Sequence, residues 1–307
     1  MSDDPVGRVS VVVPVFNGAH VLPTTVPAVL ALSGVDEWVW VDDGSADNTP
    51  AVLASLTEGA PGARVVRLPD NRGRSAARNA GVAAASGETL VFFDADVRPS
   101  PNAAERLAEP LSDPAAVASV GRVRAVLDAP GDPFQRYLGR HPRGPVGSRP
   151  GDVLPWKFFL TGLCAVRRSA LRAAGGFDEG VAYGEDLALA CRLRSAHPDG
   201  LRLADVTIDL FDVGTLDRAL ANMAAFGAAL PRLARTCPDV LSVAGVARAA
   251  ESRALLRLAR RPPLRETLRR ALPHLPAAVQ VRAVRYLLGV TLLSAYAGAQ
   301  DRPPQPD

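Results

Sequence analysis

The sequence predicts an α/β fold: a mostly parallel central sheet flanked by helices, followed by a helical C-terminal extension. Three observations predict it. Short runs rich in β-branched apolar residues recur through the first hundred positions, segments of helical length separate them, and beyond Val213 the pattern turns wholly helical. The chain has 307 residues, 48% hydrophobic and 22% charged, with 26 glycines and 27 prolines. That composition suits a globular protein of about two domains and excludes disordered, collagen-like and coiled-coil classes.

Arg8 to Val15 is nearly continuous apolar residue, the pattern of a strand covered on both faces within a parallel sheet. Trp38–Val41, Val65–Leu68 and Thr89–Phe93 repeat that texture, and His20–Leu32, Asn48–Thr57 and Arg74–Ser86 between them have helical length. Strand and helix in alternation give βαβ units. Ser45, Asp47 or Asn48 can cap the second helix, and Gly87 stops the third, whose alanines let it lie close to the sheet. A further helix is expected from Pro101 to about Leu111 and a strand near Val117–Leu127. From Asp128 to Pro155 proline and glycine are so frequent that a mobile, lid-like loop is expected. Next come an extended Phe159–Val166, helices at Arg168–Ala174 and Asp186–Ser195, and a strand at Leu203–Ile208.

In the helical region, Leu264, Leu268 and Leu272 fall at amphipathic spacing among arginines. Between Arg232 and Arg285 stand 12 arginines against Asp239, Glu251 and Glu266, so this stretch carries +9 although the whole chain carries +3. The uncharged, apolar run Tyr286–Ala299 is 14 residues, short of the roughly 20 that span a bilayer. Acidic residues near the N-terminus do not resemble a secretory signal, so a cytoplasmic location is expected. Cys164, Cys191 and Cys237 have spacings of neither a disulfide framework nor a zinc site and are expected to be plain core residues. His20, His141, His197 and His274 show no ligand spacing.

In an open parallel sheet, ligands bind beyond the carboxyl ends of the strands. Here those ends run into Phe16-Asn17-Gly18, Asp42-Asp43-Gly44-Ser45, Asp70-Asn71-Arg72-Gly73 and Asp94-Ala95-Asp96. Alternate residues of an extended chain face the same way about 7 Å apart, so Asp94 and Asp96 could reach one hard cation or its waters. Asp42 or Asp43 could instead hold a ribose as in dinucleotide-binding folds, but the turn after the first strand lacks G-x-G-x-x-G. Arg74 and Arg78, four apart, share a helix face near the same rim and could meet phosphate or base.

Taken in order, Val11-Val12-Val13-Pro14-Val15-Phe16-Asn17, Val41-Asp42-Asp43-Gly44-Ser45, Asn71-Arg72-Gly73 with Ala77-Arg78-Asn79-Ala80-Gly81, and Phe93-Asp94-Ala95-Asp96 resemble the family 2 glycosyltransferases of GT-A fold. The resemblance continues through Thr161-Gly162 with Arg167-Arg168, Gly175-Gly176-Phe177-Asp178-Glu179 and Gly184-Glu185-Asp186, covering about Val9 to Ala196. It implies inverting, metal-dependent transfer of one sugar from a nucleotide-sugar, a UDP-sugar in first place with GDP- or dTDP-sugars as alternatives. Pro14, Phe16, Asn17, Asp42, Asp43, Asn71, Arg74, Arg78, Asp94 and Ala95 would line the donor site. Asp94 and Asp96 would hold Mn²⁺ or Mg²⁺, Asp186 would be the general base beside Glu185, and Trp156, Thr161 and Gly162 would lie on the acceptor side. In domain terms the resemblance suggests a transferase domain over 1–212, divided into a nucleotide-sugar half (1–98) and an acceptor half (99–212). A basic helical region (213–301) and a loose tail (302–307) would follow.

Two departures matter. Many relatives place a histidine after the next strand as a metal ligand, whereas this chain has Thr207-Ile208-Asp209-Leu210-Phe211-Asp212; either an aspartate substitutes or the metal is held more weakly. The Q-x-x-R-W motif of processive polymerases is also missing, so a single transfer is expected, to a small molecule, a glycan or a lipid-linked glycan. The basic helices suggest peripheral contact with the inner membrane face. With almost no aromatic residues to stack on bases they do not suggest nucleic acid. Other classes that the carboxylates could serve are a non-catalytic nucleotide-sugar-binding or assembly subunit and a sugar nucleotidyltransferase.

Overall fold

The first four strands expected from the apolar runs are β1 (Val9–Val15), β2 (Glu37–Asp42), β3 (Ala63–Arg67) and β4 (Thr89–Phe93), joined by α1 (Leu22–Leu30), α2 (Thr49–Thr57) and α3 (Arg74–Ala84). The computed structural model describes residues 6–141, 144–243, 246–247 and 262–300. After β4 come β5 (Val97–Arg98), α4 (Ala103–Ala108), β6 (Ala118–Ala125), α5 (Pro133–Arg140), β7 (Leu163–Arg167), α6 (Arg168–Ala173), α7 (Glu185–Ala196) and β8 (Leu201–Leu210). The C-terminal helices are α8 (Leu216–Thr236), α9 (Val240–Val243), α10 (Pro262–Ala271) and α11 (Ala277–Gln300).

The eight strands form one sheet in the order β3-β2-β1-β4-β7-β6-β8-β5. β3, β2, β1 and β4 are mutually parallel, and β7 is inserted antiparallel between β4 and β6. Alternation along β1 divides the core. Val11, Val13 and Val15 pack with Trp40, Phe93 and Leu107 on one face, while Val12 packs with Val41, Phe92 and Ala77 on the other. Gly81 fixes the closeness of α3 to the sheet, because a Cβ there would stand 2.3 Å from Val12 Cγ1. β3 is the edge strand, which accounts for its half-polar sequence and exposure.

The chain divides into two compact units. The first holds the sheet and α1–α4, α6 and α7; the second gathers the described residues of 127–142, 181–184 and 213–307. Several expectations change here. The stretch after Asp128 is not simply a loop: Asp132 caps α5, its side chain accepting from the N–H groups of Phe134 and Gln135, and Phe134 and Leu138 are buried with Leu272, Val284 and Leu287. The apolar C-terminal run belongs to a longer helix. α11 begins at Ala277, has 24 residues and is long and apolar enough to cross a bilayer by length and composition. One face, including Val284, Leu287 and Leu292, is nevertheless buried in its own unit, where Gly227 of α8 lies against the Leu292 carbonyl. Cys164 is a buried free thiol, as expected of a core residue, whereas Cys191 and Cys237 are not free. Arg248, Arg253, Arg257, Arg260 and Arg261 of the basic segment and the tail from 302 lie outside the described residues.

Candidate active site

The rim is assembled first by backbone. After β1 the chain turns sharply at Asn17, the one described non-glycine residue with positive φ, at 49°. That conformation suits asparagine and lets its side chain accept from the Ala46 N–H at 3.0 Å while its own N–H donates to Ser45 Oγ at 2.8 Å. Asn17 therefore ties the β1 and β2 ends together. Asp42 is fully buried, accepting from the Ser45 N–H and lying 3.3 Å from Arg67 Nε, so it acts within the turn. Asp43 accepts from the N–H groups of Arg72 at 2.8 Å and Gly73 at 2.9 Å, which brings the loop after β3 to the rim. Burial outweighs those bonds and raises its pKa above the usual carboxylate value. Gly44 is required here, since it has φ 66° and a Cβ would stand 2.3 Å from the Asp70 backbone.

The second half of the rim is built around Arg78. Its side chain is 3% exposed, with Nη2 donating to Asp94 Oδ1 at 2.9 Å and Nη1 to Glu185 Oε1 at 2.7 Å. Asp94 follows β4, and its own N–H donates to the Gly162 carbonyl. Gly162 leaves room for that side chain: a Cβ would stand 2.1 Å from Asp94 Oδ2 and push the carboxylate aside. Asp94 remains 48% exposed, so its carboxylate is half open to a ligand while one oxygen is anchored.

Asp186 stands beside Glu185 in the first turn of α7, where its Oδ1 accepts from the Leu187 N–H. Burial first, and the neighbouring Glu185 second, push its pKa up to about 6, with Arg78 opposing. Arg78 itself is held above the ordinary guanidinium value: burial disfavours its charge, but Asp94 and Glu185 outweigh burial. Two acids thus bond one buried cation, whose charge also acts on Asp186.

The other expected residues are distributed as follows. Phe16 is exposed at the rim, Pro14 is half-buried in β1, and Asn71 is exposed with its side chain accepting from the Gly73 N–H. Arg74 is exposed and Arg78 is buried, so the two do not form a shared solvent-facing pair. Asp94 to Asp96 do not continue the strand. The chain turns at Ala95-Asp96 into β5, and the Ala95 carbonyl accepts from Thr25 Oγ1. Thr161 is buried. Trp156 is not available to stack on a sugar: it is 4% exposed and its indole N–H donates to the carbonyls of His197 and Pro198. Asp209 is engaged by Arg98 and Arg124. The Phe211 N–H donates to the Asp96 carbonyl, and Asp212 lies 3.5 Å from His20 Nε2, so the end of β8 also reaches the rim. Arg167 and Arg168 point elsewhere, donating to the carbonyls of Ala116 and Leu111 and of Gly87 and Val82 respectively.

A second bracket was not singled out by residue chemistry alone. Asn79 exchanges hydrogen bonds with the Phe177 backbone and donates to Glu179, to which Arg72 also donates at 2.9 Å. The signal was present as the R-N pair of α3 and the G-G-F-D-E run, but their contact spans about a hundred residues of chain. Among the described residues no group of three or more His, Cys, Asp or Glu side chains is gathered for a metal. Mg²⁺ and Mn²⁺, however, are commonly held by one or two carboxylates completed by substrate phosphates. Half-open Asp94, with Asp96 two residues on, fits a hard cation that arrives with a diphosphate.

Residues 10–175 match the model of the family described as glycosyl transferase family 2. Among characterised relatives, the chain is 32% identical over 235 residues to the pre-mycofactocin glycosyltransferase of Mycobacterium tuberculosis, covering 75% of this chain and 48% of that one. It is 38% identical over 110 residues to the undecaprenyl-phosphate 4-deoxy-4-formamido-L-arabinose transferase of Sodalis glossinidius, covering 34% and 33%. The matches thus span about half or less of these relatives. Among solved structures, S. aureus TarS 1-349 superposes with TM-score 0.58 at 13% identity, covering 96% of this chain and 90% of that one. The Pyrobaculum calidifontis mannosyltransferase PcManGT, solved with GDP-Man and Mn²⁺, gives 0.57 at 21% identity, covering 94% and 88%.

Proposed function

The chain belongs to glycosyl transferase family 2 and has the GT-A fold, and from that premise we propose that it transfers a single sugar from a nucleotide-sugar to an acceptor, with inversion. The observation that carries the reading is buried Arg78 bonding Asp94, at the carboxyl end of β4, and Glu185, beside Asp186 in the first turn of α7. Asp43 and the backbone near Pro14 and Phe16 would receive the nucleoside. Asp94 and Asp96 would hold Mn²⁺ or Mg²⁺, a Lewis acid that supplies neutralisation of charge on the departing diphosphate. Asp186 is the general base: with a pKa near 6 it is ionised at neutral pH yet basic enough to accept the proton of the attacking hydroxyl as the sugar–oxygen bond forms. The inverting geometry follows from one base opposite the leaving group, with no covalent sugar on the protein.

A UDP-sugar is the first candidate donor; GDP-sugars are supported by the mannosyltransferase neighbour's bound GDP-Man. The relatives' names divide between a pre-mycofactocin acceptor and undecaprenyl phosphate. Exposed Arg282 and Arg285 on α11, near Arg269 and Arg270 of α10 in sequence, favour a lipid-linked acceptor reached at the inner membrane face. The activity is tested by incubating the protein with Mn²⁺ and a panel of UDP-, GDP- and dTDP-sugars. Release of nucleoside diphosphate from one of them is expected. Pyrophosphate release from nucleoside triphosphate plus sugar phosphate would instead identify a nucleotidyltransferase, and binding without turnover a subunit. Sedimentation with phosphatidylglycerol vesicles, but not with phosphatidylcholine vesicles, is the expected result for membrane contact.

A further inference from the structure

Resting on that reading, we propose that Arg78 is a positioning residue: it locks donor-side Asp94 to the first turn of the helix that carries Asp186, and does not itself contact the donor. Sequence spacing alone puts Arg78 on the rim beside Arg74, able to meet phosphate or base. The structure gives it another environment. One arm of the guanidinium ends on Asp94 at 2.9 Å and the other on Glu185 at 2.7 Å, a residue 107 positions away. The Phe177 ring lies 5.7 Å from the guanidinium carbon, and Phe92 meets that ring edge-on at 5.5 Å. The side chain is 3% exposed, both terminal nitrogens are engaged, the Phe177 ring packs against it and Nε is buried, so the guanidinium is closed off from solvent rather than offered to a phosphate.

The chemistry of the fork explains the choice of arginine. A planar guanidinium sets the distance and angle between two carboxylates, whereas a lysine ammonium is a point charge on a flexible stem. The lock has rigid supports at both ends. α3 is held against β1 by Gly81, and Asp94 is seated over Gly162. Displacing a reacting group by about 1 Å can cost about 10²-fold in rate, so a linkage that only positions should act on kcat.

Three variants test this: Arg78→Lys, Glu185→Gln and the double variant. Each is measured for nucleoside diphosphate release from whichever UDP-, GDP- or dTDP-sugar the wild type uses, and for amide hydrogen exchange. Arg78→Lys is expected to lower kcat about 10²-fold while leaving the donor KM within about 3-fold. Exchange at residues 182–190 should accelerate about 10-fold while that of β1 stays unchanged. The double variant should lose no more than Arg78→Lys alone, because both changes open one link. A raised donor KM with kcat retained would mean that Arg78 binds donor, and fully additive losses or unchanged exchange at 182–190 would mean that there is no lock. Each overturns the proposal. If Arg78→Lys does not fold, Glu185→Gln decides alone by the same kcat, KM and exchange criteria. If the wild type releases nucleotide from no donor, the transferase reading fails, while the exchange comparison still decides whether Arg78 couples the two segments.

Discussion

The two ends of the sheet treat their acids in opposite ways. At the amino end, Glu37 accepts from Ser10 Oγ at 2.6 Å, Ser86 Oγ at 2.8 Å and the Gly87 N–H at 3.2 Å, with the Ser86 N–H and nearby Arg64 completing its surroundings. Burial alone would raise its pKa, but those bonds outweigh it and hold the group at about 2. At the carboxyl end, Asp94 and Glu185 share one guanidinium, and Asp186 beside them is pushed up to about 6. A carboxylate whose acceptors are filled holds strands together; carboxylates in excess of their cation are left able to take a metal, a proton or a ligand. The difference separates a structural acid from a chemical one more sharply than burial does, since Glu37 and Glu185 are about equally buried.

The contrast is most easily broken by removing the surplus. Asp96→Ala is expected to weaken Mn²⁺-dependent donor binding at least about 10²-fold, the upper range seen when even outer-shell metal partners are changed, as calorimetry would measure. Gly162→Ala tests the same site sterically. Its Cβ would displace the Asp94 carboxylate, and turnover should fall by about 10-fold or more, with far-UV circular dichroism unchanged. The proton-accepting role predicts a pH profile: kcat/KM should rise about tenfold per pH unit below 6 and level off above it, because Asp186 must be ionised to act as base.

At the other end the prediction concerns stability. Glu37 has a depressed pKa, so its contribution is present above its unfolded value of 4.5 and is lost as pH falls from there toward about 2. Glu37→Gln should cost about 1–3 kcal/mol in chemical denaturation at pH 7, should flatten the acid dependence, and should leave donor KM unchanged. The smallest effect is expected at Trp156. Trp156→Phe removes the indole N–H that donates to His197 and Pro198, costing about 1 kcal/mol with no change in acceptor KM. A large acceptor effect would restore it to the binding surface.

Much of the rim was legible in the sequence because strand ends are marked by a change of texture. The run Val11–Val15 stops at Phe16-Asn17, and Thr89–Phe93 stops at Asp94, so where these strands end could be read without coordinates. What could not be read is side-chain direction where packing decides it. Arg78 turns inward because Gly81 and the alanines draw α3 onto the sheet, and Trp156 turns inward because its N–H finds carbonyls there. The antiparallel insertion of β7 was equally hidden, since a buried strand reads alike in either direction. α5 had a signal that proline content obscured: Asp132-Pro133 is a helix start, followed by Phe134, Tyr137 and Leu138 on one face.

In the proposed mechanism the carboxylates beside Arg78 form the site of sugar transfer, with Asp186 as the base. Donor binding and turnover measured side by side in wild type and Asp186→Asn test it most directly. The expected result is a variant that binds the donor as tightly as wild type and transfers about 10² to 10⁴ times more slowly. An Asp186→Asn protein that transfers sugar at the wild-type rate would rule out Asp186 as the base.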